Sequence, residues 1–323
     1  MEIANKRRST NHGENMNFQL PKLELTTPIQ HESFTIVPIR LATKTAATYM
    51  LAEDAIRDQH LIVEEVGSGG RVPTLSVENR GEQLVLILEG QELVGAKQNR
   101  IVNTSVLIPA GEKHEIPVSC VERGRWRYQR NRNFASGSYA TAKLRGKLKR
   151  SVSDSLKRKQ GHKSDQREVW AEVSQLHKQH NVHSTTDSMS DAFSRHQQRR
   201  TDFRDRLPYV DGAFGLAMLN GPNVLSIDIF DKPETCLSVW SRLVQSAVLD
   251  LHPVPNQTID AVQIVEQLLA TAESSQWDEN PVAGAGKEYR ADVSIEFTGS
   301  ALCLTDSPVH TSFANSNIRP AKP

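Results

Sequence analysis

Leu84–Trp126 reads LVLILEGQELVGAKQNRIVNTSVLIPAGEKHEIPVSCVERGRW. An apolar run, Leu84–Leu88, leads into Glu89–Asn103, where acids, amides and cations crowd between segments with the character of core. Such groups are costly to bury unless each finds a partner, so this stretch is taken as the site. Gly90 and Gly95 allow tight turns or close backbone approach. Glu89 and Glu92 suit acid–base work, and Lys97 and Arg100 suit a phosphate or carboxylate. Gln98, Asn99 and Asn103 supply donor–acceptor pairs that orient a ligand. The plainer alternative is a polar hairpin whose charges pair with one another at the surface.

Outward from this stretch, short β-branched segments alternate with turns. Phe34–Arg40, Leu61–Val66, Val72–Val77, Ser105–Ile108 and Glu115–Val121 are expected strands, and Ala46–Asp58 an inserted helix. The pattern is that of a small β-sandwich or a barrel-like sheet. Tyr139–Gln160, Ser164–His180 and Ser188–Leu207 are charged and nearly free of Gly and Pro, which predicts helices burying narrow stripes. Ala213–Leu219 and Val224–Phe230 flank Asn220-Gly-Pro-Asn as a hairpin. Helices over Pro233–Leu251 and Thr258–Glu273 follow, then strands at Tyr289–Phe297 and Ala301–Leu304 and a loose tail from Asn315. The fold class is α+β: a β-rich N-terminal part, a helical middle and a mixed C-terminal portion. The expected divisions are a disordered tail at 1–19, with Met16 a candidate start, a β-rich part at 20–135, helices and hairpin at 136–251 packing on it, and an extension at 252–323.

Of the 323 residues only 6% are aromatic, so the core must rest on Val, Leu, Ile and Ala. No apolar run approaches the roughly 20 residues of a membrane span, and the polar N-terminus lacks an apolar signal region. Three scattered cysteines make neither a disulfide framework nor a zinc site. A cytoplasmic protein without metal or cofactor is expected. The net charge of +1 conceals fifteen Lys or Arg against two acids between Arg123 and Arg167. That segment, interleaved with Trp126, Tyr128, Phe134 and Tyr139, makes nucleic acid a second candidate partner, although a charge run is also what a solvated helix face shows.

Downstream, Cys120 and Glu122 share one face of an extended strand, and Ser119, Val121 and Arg123 the other. A nucleophilic Cys120 lacks a base, because His114 lies too far along the strand. Glu122 is better read as an orienting partner of Arg123 or Arg100. His177, His180 and His183 have metal-like spacing, but the third leaves the face of the first two. Gly67-Ser-Gly-Gly and Gly284-Ala-Gly-Lys lack the full spacing of a phosphate loop.

GQELVGAKQNRIVNTSVLIPAG and IPVSCVERGRW resemble the family of ADP-ribosylglycohydrolase- and rhodanese-phosphatase-associated proteins, type one. Asp165-Gln166, Val169-Trp170, Ser184-Thr185-Thr186, Phe214-Gly215 and Asp228–Asp231 continue the likeness, from roughly Leu20 to Leu251. The resemblance implies that Glu89, Glu92, Lys97, Gln98, Asn99, Arg100, Asn103, Glu122 and Arg123 form the family's polar block, and the family name implies association with ADP-ribose and phosphate chemistry. Residues and resemblance together give a pocket for a phosphate-bearing small molecule, a nucleotide or ADP-ribose derivative. Glu89, Glu92 or Glu122 would serve in a hydrolytic or transfer step. The alternative is a ligand- or nucleic-acid-binding sensor or adaptor without catalysis, in a stress or conflict system.

Overall fold

A computed structural model describes residues 18–42, 47–67, 69–128, 133–255 and 258–318. Met16, most of the expected tail and the last five residues lie outside them. The chain begins with β1 (Leu23–Leu25), β2 (Ile29–His31) and β3 (Phe34–Leu41). Next come β4 (Tyr49–Leu51), α1 (Ala52–Arg57), β5 (Leu61–Glu65), β6 (Thr74–Asn79) and β7 (Leu84–Ile87). The polar stretch itself forms β8 (Gln91–Gly95) and β9 (Arg100–Val102), followed by β10 (Val106–Ile108), β11 (Lys113–Cys120) and β12 (Phe134–Tyr139). The helical middle is α2 (Ala142–Lys157), α3 (Gln166–Gln179), α4 (Met189–Arg195) and α5 (Gln197–Arg206). A hairpin of β13 (Gly215–Asn220) and β14 (Asn223–Phe230) precedes α6 (Pro233–Ala247) and α7 (Ala261–Ser274). The end of the chain supplies β15 (Asp278–Asn280), β16 (Lys287–Asp292), β17 (Phe297–Leu304) and β18 (Ser307–Asn315). The class is α+β.

Three sheets organise these elements. β12-β8-β9-β11-β6-β5 curls as a half-barrel around Leu75, Val77, Leu93, Val102, Ile116 and Val118. β10-β7-β4 closes one side of it. A nine-stranded sheet, β1-β3-β13-β14-β18-β17-β16-β15 with β2 beside β3, joins the first strands of the chain to the last. Alternation divides its faces: Ile36, Leu216 and Met218 pack toward α6, whereas Val37, Ala217 and Leu219 pack with α7 residues Val265 and Leu269.

Between the half-barrel and the large sheet runs α2. Thr141 caps it, accepting from the Leu144 amide, so Tyr139 belongs to β12 and the expected helix starts later. Gly146 sits where a Cβ would lie 2.0 Å from the Asn315 carbonyl oxygen, and its absence lets α2 settle directly on β18. Two expectations are corrected by pairing. Tyr49–Leu51, expected as helix, is a strand because it lies parallel to β7. β18 was not expected at all; the left-handed pair Thr305 and Asp306 (φ 49° and 63°) turns the chain from β17 back into it.

Candidate functional site

The fifteen-residue stretch does not gather round one hollow. Its residues divide among three polar groupings.

Glu89 turns into a seam under α2. Arg145, Lys149 and Ser153 recur every four residues, so they line one stripe of that helix. The stripe meets a cross-strand row formed by Asp228, Ser312, Ser300 and Arg290 on β14, β18, β17 and β16. Lys149 Nζ donates to Glu89 Oε2 (2.7 Å) and Ser312 Oγ (2.8 Å). Arg145 grips Asp228 with both terminal nitrogens. His310 Nε2 lies 3.2 Å from Asp228, and its Nδ1 is 2.8 Å from Ser105 Oγ. Burial pushes the Glu89 carboxyl up, but Lys149, Arg145 and His310 outweigh it and hold the group near 2. Burial likewise brings Lys149 down to about 8 against the pull of Glu89. Both acids have every oxygen engaged, which makes this a structural seam.

Asn103 joins a second grouping. Its side chain donates to the His162 carbonyl and accepts from Ser119, beside a buried set in which His162 and Arg290 hold Glu288.

The third grouping holds most of the motif. Glu122 accepts from the Asn99 amide (3.0 Å) and is clasped by Arg125 at 2.8 and 2.6 Å. Burial acts to raise Glu122, but the Arg125 bonds prevail and lower it. Gln98 donates to the Glu122 carbonyl and accepts from Arg100. Asn99 accepts from Arg125 and donates to Ser190, whose hydroxyl donates onward to Glu92 at 2.6 Å. Among the described residues no cation forms an ion pair with Glu92; burial dominates the hydrogen bonds of Ser190 and Ser138 and the more distant pull of Arg200, and pushes its carboxyl up to about 7. The motif acids therefore part company, Glu89 and Glu122 held ionised and Glu92 poised near neutrality.

At the outer end, Lys97 Nζ donates to the Gly69 carbonyl (2.7 Å) and lies 5.3 Å from the ring centroids of both Trp126 and Tyr128. Those rings are 46% and 39% exposed. Arg100 is fully buried behind Trp126, its guanidinium carbon 5.6 Å from the ring centroid. Arg100 Nη1 binds Gln98, but Nε and Nη2 have no hydrogen-bond partner, and Nη2 stands 3.7 Å from Glu65 Oε1. Glu65 Oε2 also lacks a partner. Glu65 and Tyr128 border an open cleft of about 600 Å³ that also touches Glu64, Gly67, Lys113 and Glu115.

Other candidates fall elsewhere. Arg123 points outward over Trp170 at 5.3 Å, and Arg125, two residues on, is the arginine that meets Glu122. Cys120 is buried, its thiol pushed up by desolvation. His177 Nε2 meets the Ser188 carbonyl and His180 Nε2 the Leu249 carbonyl. Among the described residues no three His, Cys, Asp or Glu side chains could hold a metal ion. Much of the basic segment is spent on ion pairs: Lys143 and Lys147 with Glu172, and Arg150 and Lys157 with Asp292. No helix among the described residues is long and apolar enough to cross a membrane.

Glu65, Arg125 and Ser190 escaped the sequence reading. Alternation on β5 marks Glu65 as buried, since Leu61 and Val63 share its parity, and that signal was available.

A family model described as the ARG and Rhodanese-Phosphatase-superfamily-associated Protein domain matches residues 22–314. It extends past Leu251, where the sequence resemblance was expected to end, and takes in β15–β18. No curated protein and no solved structure matched the chain.

Proposed function

The chain belongs to that family, and we propose that it binds a small phosphate-bearing molecule, a nucleotide or ADP-ribose derivative, at the outer end of the third grouping. The observation carrying this reading is Arg100: a buried guanidinium with two nitrogens lacking hydrogen-bond partners, directly behind an exposed indole. Leaving such donors unmade is expensive, and proteins tolerate the cost most readily where a ligand completes the site. Lys97 takes the phosphate as a point charge, and Arg100 adds its field from behind. Three free, buried cysteines support a cytoplasmic setting. The test is the melting temperature of the purified protein with ADP-ribose or AMP. A concentration-dependent rise is expected, lost in Lys97→Ala. Equal shifts in both proteins remove Lys97 from the site.

A hydrolytic or transfer step is a second reading, favoured by Glu92, whose carboxyl near 7 suits proton transfer at neutral pH better than Glu89 or Glu122. Turnover of ADP-ribose by wild type and by Glu92→Gln decides it. Equal rates exclude the carboxyl.

A further inference from the structure

Two buried groups of opposite kind stand side by side, both incomplete: Glu65, which borders the Tyr128 cleft, and Arg100 next to it. Arg100 offers unused N–H donors on Nε and Nη2, and Glu65 offers an unused acceptor in Oε2. Their side chains are 0% and 2% exposed and 3.7 Å apart at the nearest charged atoms. Gly70, with φ +72°, packs closely against that oxygen: a Cβ there would lie 3.0 Å from Glu65 Oε2. In front stand Trp126 and Tyr128, each already facing a cation at 5.3 Å and each partly open to solvent.

The three features select different parts of one ligand. A carboxylate oxygen repels phosphate and accepts N–H, so the phosphate does not belong at Glu65. A guanidinium donates and never accepts, so the group beside Arg100 must carry a lone pair. A planar ring with an N–H next to an acceptor on one edge satisfies both, and its faces stack on indole and phenol, worth a substantial share of affinity per base. A metal ion fits poorly, because no three suitable side chains converge among the described residues.

We propose that Glu65 and Arg100 read the polar edge of a heteroaromatic base, with Trp126 and Tyr128 as its stacking surface. This rests on the reading above for the phosphate at Lys97 and adds the base as a second, separable determinant. Pairing a donor–acceptor edge to buried groups gives strong discrimination, since an analogue lacking that edge leaves both unpaired.

The experiment is calorimetric titration of the full chain with AMP, GMP, ribose 5-phosphate, adenosine and guanosine. At least one nucleotide is expected to bind roughly tenfold or more tighter than ribose 5-phosphate, as one discriminating interaction supplies. In Glu65→Gln, which places an N–H₂ group where an acceptor is needed, that gap should close while ribose 5-phosphate binds as before. Tyr128→Ala at the exposed rim should narrow the gap without touching the buried pair. Ribose 5-phosphate binding as tightly as both nucleotides overturns the base reader, as does a gap that survives both substitutions. Nucleosides binding while ribose 5-phosphate does not would support it and sink the phosphate role of Lys97. Failure of all five ligands overturns both.

Discussion

The seam under α2 and the cluster around Arg100 are built from the same residue types and differ in how far their carboxylates and cations are supplied with partners. In the seam, Glu89 and Asp228 have every carboxylate oxygen bonded by Lys149, Arg145, His310 or a serine. The seam leaves one nitrogen, Arg145 Nε, without a hydrogen bond; around Arg100 an equally buried cation keeps two nitrogens so, and Glu65 keeps one carboxylate oxygen so. A buried charge costs several kcal/mol to desolvate; the seam recovers that cost inside the chain, and the Arg100 cluster leaves part of it outstanding. Density of polar residues in the sequence therefore does not mark a site. On the proposed reading, what separates fold from function is whether the partners are already present, and Glu89 has its partners.

The largest effect expected from breaking this contrast is at Lys149. Lys149→Met leaves Glu89 buried beside two serines and Arg145, whose Nη2 is 3.6 Å away, without its ammonium, and losing one partner of a buried pair typically costs about 3–5 kcal/mol. Urea unfolding should show it as a lower midpoint at unchanged slope. The seam also sets the acid limb of stability. Glu89 lies near 2 when folded against an ordinary 4.5, and Asp228 is lowered further by Arg145 and His310, which overcome its burial. Groups lowered in this way stabilise the fold above their unfolded values, and that contribution disappears as pH falls from about 4.5 toward 2. Lys149→Met should flatten that limb. A variant as stable as wild type, with the same acid limb, would mean that the seam contributes nothing net, and the contrast with Arg100 would lose its meaning.

Much of this was legible in advance, for reasons that can be named. The α+β class followed from short β-branched and apolar runs bounded by turns, Phe34–Arg40 and Leu84–Leu88 among them, against charged, Gly-poor stretches in the middle. The motif's placement on a hairpin followed from Gly90 and Gly95. What escaped was set by distant partners. Lys143, Arg145 and Lys149 look like a solvated face because nothing in the local sequence announces Glu172, Asp228 or Ser312, which meet them from 29, 83 and 163 residues away. Tyr49–Leu51 has a helical neighbourhood and becomes a strand only because β7 lies beside it. Arg123 and Arg125 are equivalent on paper; the chain leaves β11 at Cys120, so strand parity no longer says which one turns back to Glu122.

The smallest effect, and the most discriminating for the third grouping, is at Glu92. Its folded carboxyl lies near 7 because burial outweighs the Ser190 and Ser138 hydrogen bonds, against an ordinary 4.5. An acid raised on folding stabilises the fold while protonated, below its unfolded value, and that stability is lost as pH climbs through the folded value. Glu92→Gln mimics the protonated form at all pH values and keeps an acceptor for Ser190. The two proteins should therefore have similar stability near pH 4.5 and diverge above it. By pH 8 the variant should be the more stable, by on the order of 3 kcal/mol for a shift of this size. Chemical unfolding at half-unit steps from pH 5 to 8 measures the divergence. Parallel profiles would mean that Glu92 is already ionised at pH 5, and the carboxyl would lose both its poise near neutrality and its claim to move a proton.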